Sequence, residues 1–525
     1  TDMGGYTFGK LIKGPKLTKI SPNKTYSGVI GSFLVSVIGG LIYLEFLPGV
    51  LFWSYFNGYE QAGIGYNLFT LLIISIISLI SQLGDLTISF FKRLAKIKDT
   101  GNILPGHGGL LDRIDGIIFV VPFSYIILNF TGYWYMKKKI AIVGSTGSIG
   151  TTLLNIIAKN KNEFDIKLLA ANKNYTLLLK QAKQFNVKNL IITDNKSFEI
   201  LKKKTEKTNI KIYNNFKSLN KIFKKKIDYA MSSIVGIKGL DPTINIIKFT
   251  KKIAIANKES IICGWKLIEN ELKKNNTKFI PVDSEHFSLW YGLQNKSINS
   301  VENLFLTASG GPLYKIPLNK IKKVKVSEAL NHPNWKMGKK ISIDSATLIN
   351  KVYEVIEAKN IFKIPYNKIQ ILIHPKSYIH AILKFNNGLI NIIAHDTTMK
   401  IPIFNTLYSN DNPHLPSNNL DIKILNNLNF KKVDDKRFPM IKLLTLLPKK
   451  NSLYETVIVS ANDALVELFL KKKIKFHQIH KKLFELIRLK EFTKYKKKYP
   501  RNINDIYNLN DYVHLKLFKK VYKSW

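Results

Sequence analysis

One cysteine, Cys263, occurs in 525 residues. A lone thiol excludes any internal disulfide and fits a reducing compartment. Acidic side chains are scarce: 36 Asp and Glu stand against 81 Lys and Arg, a formal net charge of +45. Such an excess ordinarily suggests nucleic acid. Here the lysines are scattered over the whole length among Asn and Ile, with few arginines. That is a composition bias rather than a recognition stripe, so no nucleic-acid partner is expected, and an anionic membrane surface suits the charge better. No signal peptide opens the chain, which begins Thr1-Asp2-Met3-Gly4-Gly5. Long apolar runs are confined to the first 136 residues. The length calls for two to four domains.

Those runs are Val29–Leu47, Phe69–Leu83 and Ile117–Tyr135. The first and third approach the length that crosses a bilayer. The second ends in Gln82 and Asp85, and a charge at the end of a membrane segment points to function. Asp85, Asp99, Asp112 and Asp115 are candidate cation ligands at a membrane face. Lys92, Arg93, Lys98, His107 and Arg113 are candidate phosphate partners, with glycines that let backbone come close. The string GDLTISFFKRLAKIKDTGNILPGHGGLLDRID, with SPNKTYSG at Ser21–Gly28, resembles phosphatidate cytidylyltransferase (CDP-diacylglycerol synthase). The resemblance covers the last third to half of such an enzyme and departs from it at Ile88, where the family usually has an acid. It implies a metal-dependent transfer from CTP to phosphatidate, with Asp85, Lys98, Asp99, His107, Asp112, Arg113 and Asp115 as a second site. Basic clusters at 10–24, 92–98 and 137–139 all ask for the cytosolic side, which three full spans do not allow. Met136 precedes Lys137-Lys138-Lys139 and a complete domain, as if two neighbouring coding regions were joined.

Residues 137–282 read as a dinucleotide domain. The strand Lys139–Val143 runs into Gly144-Ser145-Thr146-Gly147-Ser148-Ile149-Gly150 and then an apolar-periodic helix. The glycines permit a tight turn and a pyrophosphate at the helix N-terminus. After the next strand, Lys173 and Asn174 stand where an NAD site has an acid, which favours the 2'-phosphate of NADP(H). Further βα units begin at Asn189, Ile210, Asp228 and Lys252. The last delivers Asn257, Lys258 and Glu259 to a strand's carboxyl end, where open α/β sheets bind ligands. Cys263 reads as a small buried hydrophobe.

In residues 283–410, Asp283 and Glu285 would point the same way on an extended segment. Glu354, in the helically spaced segment Ser345–Phe362, would approach them from a separate element. Three such oxygens suit Mg2+ or Mn2+. Ser284, Ser309, His332, Ser345, Asn350 and Lys351 supply donors for a phosphorylated polyol. GSTGSIG, ANKES, PVDSEH, LTASGGP, HPNWKMGKKISIDSAT, NKVYEVIEA and HPKSYIH occur in order. Together they resemble 1-deoxy-D-xylulose 5-phosphate reductoisomerase. The resemblance covers about 137–490 and implies NADPH, one divalent cation held by Asp283, Glu285 and Glu354, and a homodimer. It places Lys258 and Ser284 on the substrate backbone, with Ser309, His332, Ser345, Asn350 and Lys351 around its phosphate. It makes 332–338 a lid carrying Trp335 and Met337. The family's Gly-Leu is Val352-Tyr353 here.

Residues 411–435 read as a linker and 436–525 as a helical domain, with weak periodicity after 490. The expected fold is α/β. An NADP-binding Rossmann-like domain leads to an α+β catalytic domain and a C-terminal helical domain, preceded by an α-helical membrane segment. The catalytic domains are expected in the cytoplasm, tethered to the membrane's inner face by residues 1–136.

Overall fold

A computed structural model describes the chain apart from residues 19–20, 22–23, 47–63, 98–99, 102–110, 131–136, 336, 409–413, 417–418 and 523–525. Two units are distinguished, Thr1–Met136 and Lys137–Trp525.

The first unit holds α1 (Asp2–Ile12), α2 (Tyr26–Phe46), α3 (Ile64–Leu94) and α4 (Leu111–Phe130). Large apolar side chains such as Ile30, Leu34, Leu79, Leu83, Ile117 and Val121 point outward. Among the described residues one stretch, Ile74–Leu94, is long and apolar enough to cross a membrane. The first and third runs appear as the shorter apolar helices Tyr26–Gly40 and Ile114–Ile126, and nearly all of their remaining residues lie wholly or by their side chains outside the described ones. The second continues as helix through Gln82 and Asp85, because neither residue breaks a helix, and so gains the necessary length.

The second unit opens with βα units: β1 (Lys138–Val143), α5 (Ser148–Ile157), β2 (Phe164–Ala171), α6 (Tyr175–Gln184), β3 (Asn189–Ile192), α7 (Asn195–Thr205) and β4 (Lys211–Tyr213). Then follow β5 (Ile227–Ser232), α8 (Leu240–Ile247), β6 (Thr250–Ile255), α9 (Lys258–Lys274) and β7 (Lys278–Pro281). All seven strands are parallel, in the order β4-β3-β2-β1-β5-β6-β7. Both faces of β1 are buried with period two: Ile140 and Ile142 enter one core, Ala141 and Val143 the other. Strand order reverses between β1 and β5, and the crevice at their carboxyl ends is where a doubly wound sheet takes its ligand. Gly144 sits at that point with φ +93°, and a Cβ on it would lie 2.8 Å from the Ser233 carbonyl carbon.

The chain then forms α10 (Ser284–Gly292), β8 (Val301–Ala308), α11 (Lys339–Thr347) and α12 (Ile349–Phe362). After these come β9 (Ile369–Ile373), β10 (Ile379–Phe385), β11 (Ile390–Ala394) and α13 (Lys400–Leu407). The second sheet, with β12 (Lys431–Lys432) at one edge, has the order β11-β10-β8-β9-β12 and mixes parallel with antiparallel pairs. Leu289 of α10 and Val355 and Ala358 of α12 cover it, packing on Leu304, Leu306 and Leu383. Helix α13 returns to the first sheet, placing Ile403, Phe404 and Leu407 in its core.

Three local expectations change. Residues 283–285 are not extended: Asp283 caps α10 and Glu285 lies in its first turn. The reason is capping, since Asp283 Oδ1 accepts the Glu285 N–H at 3.3 Å. The segment 345–362 is two helices, broken at Leu348 with φ +63°. Within 411–435, β12 (Lys431–Lys432) pairs with β9, so that stretch adds an edge strand. The C-terminal part comprises α14 (Tyr454–Leu470), α15 (Phe476–Ile487) and α16 (Ile503–Tyr522). Helix α16 buries Ile506, Leu509, Val513 and Leu517, a helical stripe that the surrounding lysines and tyrosines obscure in the sequence.

Candidate metal and substrate site

Asp283 leaves β7 and caps α10, so its carboxylate folds back toward the helix start beside Glu285. Glu354 rises from α12, whose first turn also carries Asn350 and Lys351. One ligand oxygen from each of Asp283, Glu285 and Glu354 lies within 4.8 Å of the others. Two separate pieces of backbone thus bring three hard oxygen ligands together, as a divalent cation requires.

Two buried lysines face the cluster. Lys258 Nζ, at the start of α9, lies 3.1 Å from Asp283 and 3.3 Å from Glu354, and donates to Asn350 Oδ1 at 2.7 Å. Lys351 Nζ lies 2.9 Å from Glu285 and also pairs with Glu354. Burial alone would depress the Lys258 ammonium. The pull of Asp283, Glu354, Glu357 and Glu285 more than offsets it and holds the lysine well above its ordinary value. Lys258 is therefore a donor and fixed positive charge rather than a base. Burial, and then the Glu354 charge, push Glu285 up to about 7. Asp283 is held well below the carboxylate range: its burial is outweighed by Lys258 and His286. Crowded carboxylates of this kind are what a divalent cation relieves.

His286 and Glu357 complete the surroundings. His286 Nε2 donates to the Glu354 carbonyl at 2.9 Å, which ties α10 to α12, while Nδ1 faces Asp283 at 3.3 Å and Glu357 at 3.5 Å. Burial opposes its charge, but Glu357 and Asp283 raise the imidazole to about 9. Neither residue is among the site residues expected from the sequence. The signal was spacing: each stands three residues after a metal-ligand candidate, on the same helical face.

In the loop before α11, His332 accepts two backbone N–H groups at Nδ1, from Asn334 at 3.2 Å and Trp335 at 3.0 Å. Nδ1 is then the acceptor, and Nε2 carries the proton toward Ser309 Oγ at 3.1 Å. Ser309 Oγ also accepts from Gly311 N–H at 3.0 Å, so the serine's own hydrogen is left to donate. Burial lowers His332 to about 4, which keeps it neutral at neutral pH. Ser345 lies on α11 against the same loop: the Cβ position of Gly311 is 2.6 Å from the Ser345 carbonyl oxygen. Ser284 donates to Glu285 at 2.6 Å. The Trp335 ring lies edge-on to His380 at 6.2 Å. Met337 is half-buried.

At the first sheet, the turn from Gly144 through Ser145, Thr146 and Gly147 leads to Ser148, Ile149 and Gly150 at the start of α5. Ser145 is turned inward and bonds Gln181 at 2.9 Å. Lys173 is exposed, and Asn174 caps α6 by accepting from Leu177 N–H at 3.1 Å, which leaves its amide hydrogens to donate. Asn257 caps α9 and holds the loop at Gly236. Glu259 follows Lys258 in the first turn of α9. It turns to Lys340 at 2.6 Å, because consecutive helical side chains diverge by about 100°. Cys263 is buried, and burial raises its thiol.

In the first unit Asp85 pairs with Lys24 and approaches Asp115. Lys98, Asp99 and His107 lie outside the described residues, as do the side chains of Asp112 and Arg113.

Comparison with known proteins agrees with this division. Residues 140–264 match the family described as 1-deoxy-D-xylulose 5-phosphate reductoisomerase, 279–362 that enzyme's C-terminal domain, and 396–514 the DXP reductoisomerase C-terminal domain. Residues 1–131 match the cytidylyltransferase family. The chain is 58% identical over 382 residues to the 1-deoxy-D-xylulose 5-phosphate reductoisomerase of Pelagibacter ubique, covering 72% of this chain and 98% of the relative. It is 38% identical over 358 residues to that of a Sulfurihydrogenibium species, covering 68% and 92%. The solved Zymomonas mobilis reductoisomerase in complex with NADPH gives a TM-score of 0.67 at 30% identity, over 73% of this chain and 99% of that one. A DOX-P reductoisomerase in complex with NADPH, fosmidomycin and magnesium gives 0.68 at 28% identity, over 73% and 98%. On its fold and these relatives, the chain belongs to the 1-deoxy-D-xylulose 5-phosphate reductoisomerase family.

Proposed function

We propose that residues 137–525 bind one Mg2+ or Mn2+ at Asp283, Glu285 and Glu354, and convert 1-deoxy-D-xylulose 5-phosphate to 2-C-methyl-D-erythritol 4-phosphate there with NADPH. The observation that supports this most is the meeting of three carboxylates from α10 and α12 beside the lysine that begins α9. When bound, the cation supplies Lewis acidity to the ketose carbonyl and its neighbouring hydroxyl. Lys258 and Ser284 orient the substrate's hydroxyls, and the Lys258 ammonium stabilises negative charge as the carbon skeleton rearranges. Ser309, His332, Ser345, Asn350 and Lys351 hold the phosphate, a non-reacting end whose binding energy positions the reacting carbons. Trp335 and Met337 close over the pocket and exclude water from the aldehyde that NADPH reduces. The turn 144–150, with Asn257, holds the dinucleotide, and Lys173 and Asn174 take its 2'-phosphate. Purified full-chain protein should oxidise NADPH only when both deoxyxylulose phosphate and a divalent cation are present. NADPH oxidation independent of the sugar would reject the assignment.

The edge strand β11 exposes Ile390 and Ile392 beside Leu389, an apolar sheet edge of the kind a second copy covers. A homodimer through this edge is expected, and Ile392→Lys should shift the sedimentation coefficient to that of a monomer. For residues 1–136 the cytidylyltransferase match and the Lys24–Asp85 pair support a second reading. That reading is a membrane tether on the cytoplasmic face that also transfers a nucleotide from CTP to phosphatidate. CDP-diacylglycerol formation by the full chain, lost in Asp85→Asn, tests it.

A further inference from the structure

Lys340 stands at the second position of α11, two residues after the lid ends at Gly338. A cation there opposes the helix dipole, so an exposed lysine would gain nothing from the position. Its ammonium is instead drawn inward among three carboxylates from three helices. Lys340 Nζ lies 2.6 Å from Glu259 on α9, 2.9 Å from Asp463 on α14 and 3.3 Å from Asp344 one turn along α11. Asn462 of α14 donates to Asp344 at 2.7 Å and closes the network. The Tyr353 ring of α12 lies 5.9 Å from the same ammonium. Glu259 and Asp344 are buried, so the cluster is shielded from water and salt.

The placement matters because Glu259, Asp344 and Tyr353 each adjoin a residue of the proposed site. Glu259 follows Lys258, and Tyr353 precedes Glu354. Lys340 itself begins the helix that bears Ser345 and follows the loop bearing Trp335. One ammonium therefore joins the lid's trailing end to the two helices that hold the substrate-facing lysine and a metal ligand, and fastens all three to the C-terminal helices.

We propose that Lys340 is a positioning residue, the fixed pivot of the lid. With α11 pinned at its start, Trp335 and Met337 close by rotation about Gly338, and Trp335 arrives over the substrate without dragging Ser345 or Lys258 out of place. The C-terminal helical segment takes part in this through Asp463, as the far wall of the pivot. The proposal rests on residues 332–338 being the lid, and the test separates the two.

The test uses full-chain protein with deoxyxylulose phosphate, NADPH and Mg2+, and compares Lys340→Met, Lys340→Arg, Asp463→Asn and Trp335→Ala. A pivot that lets the lid miss by about an ångström should cost 10- to 100-fold in kcat/KM. That loss is expected in Lys340→Met, with a raised KM for the sugar phosphate and an NADPH dissociation constant unchanged from the parent. Lys340→Arg should restore most of the activity, and Asp463→Asn should raise KM in the same direction by a smaller factor. Wild-type kcat and KM in a folded Lys340→Met protein would overturn the proposal. So would equal losses of NADPH and sugar affinity, the mark of general structural damage. Should Lys340→Met fail to fold, an unchanged KM in Asp463→Asn overturns it equally. An unchanged KM in Trp335→Ala, by contrast, would remove the lid itself.

Discussion

Replacing Glu354 with glutamine removes one negative charge and keeps the side chain's size. In the structure this carboxylate is buried and takes contacts from Lys258 at 3.3 Å, from Lys351 and from Asn350. The change acts on two quantities that separate. Removing one partner of a buried pair can cost about 3–5 kcal/mol when the other charge is stranded. Neither lysine is stranded here, because Lys258 keeps Asp283 at 3.1 Å and Lys351 keeps Glu285 at 2.9 Å. The loss of stability should therefore be nearer 1–3 kcal/mol, the range for a lost charged hydrogen bond. Catalysis should suffer more. Disturbing a group that merely orients a metal ligand costs about 10- to 100-fold, so loss of a ligand should cost at least about 100-fold, or ~2.7 kcal/mol of barrier. Glu354→Gln should then melt cooperatively, a few degrees below the parent, bind NADPH normally and turn over at the background rate. Turnover close to that of the parent at saturating Mg2+ would take Glu354 out of the ligand set and refute the reasoning.

Lys173→Ala should weaken NADPH more than NADH in a fluorescence titration, and equal losses would argue against contact with the 2'-phosphate. Glu455 on α14 is raised by burial to about 7, from an ordinary 4.5. A raised folded pKa gives stability that is complete below 4.5 and lost as pH rises through 7, worth ~3 kcal/mol across the window. Denaturant midpoints of the parent should fall over that range while those of Glu455→Gln stay flatter; parallel curves would contradict this. The Tyr353 hydroxyl is buried and, among the described residues, has no hydrogen-bond partner. Tyr353→Phe should therefore raise stability by about 1 kcal/mol, and a lower melting temperature would show that the hydroxyl is satisfied in solution.

Local signals made the first sheet legible. Gly144–Gly150 between an apolar strand and an apolar-periodic helix allows little else, and the strands that begin at Lys138, Asn189, Lys211, Ile227 and Thr250 start within two residues of the expected positions, while β7 was not expected. The meeting of Asp283, Glu285 and Glu354 was legible because carboxylates are rare in this lysine-rich chain, so the three stand out. The same background hid Lys340, which no local feature distinguishes from its exposed neighbour Lys339. The Glu259–Lys340 pair was hidden for a related reason: adjacency to Lys258 suggests a shared direction, whereas a helix sends the two side chains apart. The break at Leu348 had no glycine or proline to mark it. It follows from tertiary packing, which sinks Leu348 and Ile349 into separate cores.

The central claim is that Asp283, Glu285 and Glu354 hold one ion together, and Mn2+ titration followed by electron paramagnetic resonance tests it most directly. The full chain should show one tight Mn2+ site that disappears in Asp283→Asn, Glu285→Gln and Glu354→Gln alike, while NADPH binding persists in all three. A site that survives in any one of them would contradict the account.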